Sequence, residues 1–239
     1  MPSIKNYQKA LLIALPLALS ACGDDDTREV IVEVEVPAPV PTPVDVSYEV
    51  TVTNLTNGQP VSPPAIVLHT EGTLWALGEV PSVALERIAE EGTSDEFLTL
   101  GTVSAGGDGP ITPGNNQTIS VTIQDITNAK LTIAAMLGNT NDTFSGLSAW
   151  DLSQLEVGDS WTTNSPAYDA GTEKNTESAE TVPGPAAGGE GFNPTRDDTG
   201  FISMHPGVVS ADDGLSTSAL TVDHKFDNPV IRIKITRTE

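Results

Sequence analysis

The chain has 239 residues, 33 acidic side chains against 11 basic ones, and a formal net charge of -22. That balance repels nucleic acid and anionic headgroups, so a nucleic-acid-binding role is excluded, while it suits solubility and divalent cations. With Cys22 as the one cysteine, no internal disulfide forms, and a folded domain relies on its core, hydrogen bonds or a metal.

In chain order, the first element is a targeting segment over 1–21. Lys5 and Lys9 form a positive region, Ala10 to Ala18 an apolar one, and Leu19-Ser20-Ala21-Cys22 follows. The apolar run is too short to span a bilayer, which takes about 20 residues as a helix. Its ending resembles a bacterial lipobox, so Cys22 is expected to carry a lipid and become the mature N-terminus. An ordinary signal peptide cleaved after Ala21 would instead leave a free thiol. Gly23, rather than an aspartate, follows Cys22, which matches sorting to the outer membrane, facing either the periplasm or the exterior.

Residues 22–45 read as an acidic and proline-rich tether. Asp24-Asp25-Asp26 is a charged spacer, and Pro37 to Pro43 alternates proline with small residues. Such chain is extended, at roughly 3 Å per residue.

Residues 46–239 then form one domain with a period of mostly two. Val46, Tyr48, Val50 and Val52 alternate with polar residues and stop at Asn57-Gly58. Ala65 to Leu68 is a short buried run. Ile119, Val121 and Ile123 alternate, as do Leu131, Ile133, Ala135 and Leu137. At the end Ile231, Ile233 and Ile235 point inward, with Arg232 and Lys234 outward. One stretch is helical: Ser82 caps a helix through Glu91, Leu85, Ile88 and Ala89 share a face, and Gly92 stops it. Thr93 and Glu96 have capping-box spacing for a short second turn. Residues 178–200, with Pro183-Gly184-Pro185 and Gly188-Gly189, read as a long surface loop. Many strands with one short helical insertion predict an all-β sandwich.

No catalytic motif is present: no nucleophile elbow, no His-Glu-x-x-His and no phosphate-binding glycine loop. His69, His205 and His224 are scattered; His69 and His205 are expected to serve structural hydrogen bonds at strand ends. A hydrolase built on a carboxylate pair is the least supported reading, and the chain is expected not to be an enzyme. Trp75, Trp150 and Trp161 read as core or core-edge residues, and Asp197-Asp198 and Asp212-Asp213 as solvated turns. The informative acids lie elsewhere. Asp142 ends an Asn/Asp-rich turn after an apolar strand, and Asp169 and Glu173 flank Gly171, which permits a tight bend. Hard cations such as Ca²⁺ take oxygen ligands of this kind. An EF-hand counted from Asn139 fails, because Trp150 stands at its twelfth position. On residue chemistry alone, two ordinary acidic turns are the simpler reading and a calcium site the sharper one.

Asn139-Thr140-Asn141-Asp142-Thr143-Phe144-Ser145-Gly146-Leu147, followed by Pro166-Ala167-Tyr168-Asp169-Ala170-Gly171-Thr172-Glu173, resembles the spondin domain. That domain lies in the N-terminal half of F-spondins and recurs in bacterial exported proteins. Tyr48 to Thr56, Gln59 to Pro64, Met204-His205-Pro206-Gly207 and Asn228-Pro229-Val230 are similar to the bacterial members. The resemblance covers about 46–239. It implies an antiparallel, C2-like β-sandwich with one Ca²⁺ held by loops at one end, on the positions Asp142, Asp169 and Glu173. Glu173 stands where animal members have aspartate, and the cysteines and tryptophan of the animal pattern are missing here. The adhesive partner of those members is therefore not carried over.

The expectation is a lipid-anchored, exported, calcium-binding module. It would act in adhesion or binding at the cell envelope, with an extracellular protein or glycan as partner. A calcium-dependent carbohydrate-binding module, using loops 139–150 and 178–200, is the alternative.

Overall fold

A computed structural model describes residues 42–239. Cys22, the targeting segment and the tether up to Pro41 lie outside the described residues. Ten strands run in two antiparallel sheets: β1 (Asp45–Asn54), β2 (Ala65–His69), β3 (Val103–Gly106), β4 (Asn116–Gln124), β5 (Lys130–Met136), β6 (Thr143–Asp151), β7 (Ser160–Ser165), β8 (Tyr168–Asp169), β9 (Ser203–Met204) and β10 (Ile231–Arg237). Helices α1 (Val83–Glu91) and α2 (Asp95–Leu98) fall between β2 and β3. The fold is all-β, as the alternating pattern predicts. No helix among the described residues is long and apolar enough to cross a membrane.

The first sheet has the order β4-β1-β10-β7, the second β3-β2-β5-β6-β8-β9. Register follows from the period of two. Val50 sits opposite both Ile119 and Ile235, and Val52 opposite Ile233, so every second residue delivers a branched side chain to one face. Tyr48, Val50, Val52, Ile233 and Ile235 from the first sheet meet Ile66, Leu68, Leu131 and Ile133 from the second in one core. Each buried side chain of this size contributes about 1.5–3 kcal/mol. Trp150 and Trp161 stack at the edge of this core, with ring centroids 4.4 Å apart.

The second sheet is covered on its other face as well, which the sequence pattern does not predict. Ala65, Val67, Ala134 and Phe144 pack there against Trp75, Leu85, Ile88, Ala89 and Phe97. As a result β5 is buried at every position after Lys130, rather than alternating. The expected helix is present: the Ser82 side chain accepts from the Leu85 N–H, and Gly92 closes α1 in the left-handed conformation at φ 73°. The expected capping box at Thr93 is absent. Ser94 precedes α2 and makes no side-chain cap bond.

Candidate metal centre

The site is built where β5 turns into β6. Thr140 Oγ1 donates to the Leu137 carbonyl at 2.6 Å, while the Asn139 N–H donates to Gln59 Oε1 at 2.9 Å. These bonds hold Asn139 to Asp142 inside the protein, although the tetrapeptide is wholly polar; Asp142 is 0% exposed. β8 pairs next to β6, with Thr143 opposite Asp169, and that register puts Asp169 beside Asp142.

Gly171 then bends the chain at φ 72°. A Cβ there would lie 2.4 Å from the Phe201 carbonyl oxygen, so glycine is required by space as well as by conformation. The bend turns two successive N–H groups onto Asp142 Oδ2, from Thr172 at 2.7 Å and Glu173 at 3.0 Å. Asp169 Oδ1 accepts from Gly171 N–H at 2.7 Å, and Oδ2 from Asn175 Nδ2 at 2.7 Å. His205 orients that amide: its Nε2–H faces Asn175 Oδ1 at 3.1 Å, while its Nδ1 accepts from the Gly207 N–H. Burial lowers the His205 pKa to about 4, so the ring is neutral and acts structurally, as its position after β9 predicts. The His69 ring also makes structural hydrogen bonds, to the Thr132 hydroxyl and the Glu71 carbonyl.

The electrostatics are unbalanced. Asp142 Oδ1 is buried and has no hydrogen-bond partner. Burial first, and then the Asp169 charge, push the Asp142 carboxyl upward; burial does the same for Asp169. Glu173 is connected to Asp142 through its backbone, but its carboxyl opens elsewhere. It lines a small cavity with Asn141, Glu190, Asn193 and Asp197, and its Oε1 is also without a partner. Burial raises Glu173 to about 8, with Glu90 and Glu190 as the strongest neighbouring charges, ahead of Asp142. The structure thus brings Asp142 and Asp169 together and sets the Glu173 carboxyl on an adjoining focus. Among the described residues, no three Asp, Glu, His or Cys side chains gather in a group that would hold a metal unaided. A cation here would draw on the Asp142 and Asp169 carboxylates, oxygen donors of the kind Ca²⁺ takes.

Three participants carry no local sequence signal. Glu90, on α1, is 1% exposed and holds an unpartnered Oε1; burial raises it to about 6. Asn175 meets Asp169 only in space, and His205 acts on it only through Asn175. The Thr172 hydroxyl donates to Asp142 Oδ2 at 3.2 Å. The sequence matches no protein-family model and no curated protein.

Proposed function

We propose that this chain is an exported, lipid-anchored module with a spondin-like sandwich, stabilised by one Ca²⁺ at Asp142 and Asp169, with Glu173 adding negative charge from the adjoining cavity. We further propose that it binds an extracellular protein or glycan at the cell envelope. The observation that carries the metal reading is Asp142 Oδ1, an anionic oxygen buried against a second carboxylate and given no donor by the protein. An unmet buried acceptor of this kind costs about 1–3 kcal/mol or more when charged, and a bound cation removes that cost. The donor set supports calcium over zinc, because no sulfur or free imidazole nitrogen lies among these ligands. The envelope reading rests on the lipobox-like ending at Cys22 and on the proline tether.

Thermal unfolding of the full chain in excess calcium and in chelator tests the metal. At a hundred times its dissociation constant, calcium adds about 2.7 kcal/mol, or several degrees of Tm. That rise is expected in the native chain and absent from Asp142→Asn and Asp169→Asn. Equal melting in calcium and chelator would remove the metal from this reading.

The glycan alternative gains one observation. An open cleft of about 370 Å³ beside β8 is lined by Trp75, Leu77, Ser148, Asn164 and Tyr168, a mix of aromatic faces and polar donors suited to a sugar. Saturable binding on a glycan array, lost in Asn164→Ala, would favour it over protein adhesion.

A further inference from the structure

β7 ends its sheet. In the order β4-β1-β10-β7 it pairs with β10 on one side, and among the described residues no strand lies on the other. The register decides which backbone groups face that open side. The Arg237 N–H donates to the Asp159 carbonyl at 3.0 Å, one step beyond the Ser160–Thr236 pair. Hydrogen-bonded and non-bonded pairs alternate along an antiparallel ladder. Trp161 and Thr163 therefore exchange bonds with β10, while the N–H and C=O groups of Thr162 and Asn164 point to the open edge. Neither residue makes a backbone bond outside the ladder among the described residues. β7 also carries no proline, lysine or acid, the usual guards of a free edge.

The two faces beside this edge differ in chemistry. On the inner side the open cleft of about 370 Å³ lies between β7 and β6, with Leu77, Leu147 and Tyr168 on its wall. Further along β7, Trp161 stacks on Trp150, both rings partly buried. On the outer side Arg232 and Lys234 of β10 are exposed, opposite Asn164 and Thr162. Arg232 leans over β7, its Nε–H donating to Asn164 Oδ1 at 3.1 Å. Neither cation is in an ion pair among the described residues. Glu49, the nearest acid in register, stands diagonally from Lys234, opposite Thr236. In a chain with 33 acidic and 11 basic side chains, two adjacent cations without an acid stand out. At the other end of the sheet, β4 lies beside Asp45 and Glu49 of β1 instead.

We infer that β7 accepts an extended peptide as an added strand, and that this peptide alternates apolar with acidic residues. Its main chain bonds the outward groups of Thr162 and Asn164. Successive side chains of a strand point to opposite faces, so one row enters the cleft side and the other reaches Arg232 and Lys234. Backbone pairing supplies affinity in this mode of recognition, and alternate side chains supply specificity. A glycan lacks the regular N–H and C=O spacing that would match such an edge. The inference rests on the binding-module reading above and assigns the module a protein partner.

Fluorescence anisotropy of a labelled, end-blocked peptide of alternating valine and glutamate, titrated with the full chain, tests this. Saturable binding is expected, and the same peptide N-methylated throughout its backbone should not bind. Thr162→Pro removes one outward N–H and spares the bonds to β10, so it should weaken binding about tenfold, the equivalent of one hydrogen bond. Arg232→Gln combined with Lys234→Gln should weaken it similarly and remove its salt dependence, and a valine–lysine peptide should not bind. Unchanged melting shows that each variant is folded; should Thr162→Pro fail to fold, the methylated peptide and the charge variant decide. Absence of binding would overturn the proposal, as would binding that survives Thr162→Pro or that the valine–lysine peptide matches. Self-association of the full chain, lost in Thr162→Pro and without peptide uptake, would overturn it in favour of a second copy on this edge. No peptide binding, but glycan-array binding lost in Asn164→Ala, would overturn the added strand and keep the module as a glycan binder. Failure on both peptide and glycan would take the binding-module reading with it.

Discussion

At the scale of single residues, buried carboxyls set the behaviour of this protein. Asp142 has one oxygen satisfied twice by N–H groups and the other unmet. Asparagine keeps the first acceptor and removes the charge. Asp142→Asn is therefore expected to melt higher than the native chain in chelator at pH 8, and lower in calcium. A calorimetric scan of both states checks this inversion, and a variant that is less stable in both would speak for a purely structural aspartate. Glu177 is a separate case. It is 1% exposed, sits at φ 57°, accepts from the Val209 N–H through Oε1, and leaves Oε2 without a partner. Burial raises it to about 7. A raised carboxyl stabilises the fold below its unfolded pKa and loses that contribution as pH climbs through the folded value. Glu177→Gln should thus gain up to about 3 kcal/mol over the native chain at pH 8 and show no gain at pH 4. Denaturant titration at the two pH values measures the difference, and an equal effect at both would refute the assignment.

At the scale of elements, what local pattern encodes was legible and what distant contacts create was not. The inward rows of β1, β4 and β10 follow from their alternating valines and isoleucines. Ser82 and Gly92 mark α1 because a cap is a contact within a few residues. β5 misleads because Ala134 faces a second core, supplied by a helix some fifty residues away. In the site, Asp142, Asp169 and Glu173 stand out through their turns and glycine. Glu90 does not, since it is an unremarkable acid until Asn193 of the 178–200 segment folds over α1. The 178–200 segment reads as loop from its glycines and prolines, yet Val182 within it is fully buried against Val208 and Leu220. Its fastening gives the prediction at this scale. Glu86 is 2% exposed and pairs with Arg196. Arg196→Ala leaves that carboxylate buried without its partner and should cost about 2 kcal/mol. It should also speed proteolysis within 178–200 more than unfolding elsewhere. If hydrogen exchange of α1 and the 178–200 segment stayed unchanged in this variant, the pair would not be holding them together.

At the scale of the whole molecule, the buried acids act together on the pH dependence of stability. Glu90, Glu173 and Glu177 are raised to about 6, 8 and 7, and Asp142 and Asp169 are raised as well. Each contributes most below its unfolded pKa, near 4 to 4.5, and loses its contribution as pH rises through the folded value. Asp213 opposes them: Lys225 and the Ser210 contacts hold it down to about 2, so its share is present above about 4 and lost only in strong acid. The raised groups outnumber it and are buried, whereas Asp213 is in solvent contact. In chelator the domain is therefore expected to be most stable near pH 4.5–5 and to weaken steadily toward pH 8. Most globular proteins do not decline over that window. Calcium competes with protons for the same oxygens, so its stabilising effect must grow with pH. Melting curves from pH 4.5 to 8 should then diverge, falling in chelator and level or rising in calcium. If the chelated protein were instead more stable at pH 8 than at pH 5, the buried acids would be neutralised by contacts within the chain, and the case for a cation would fall with them.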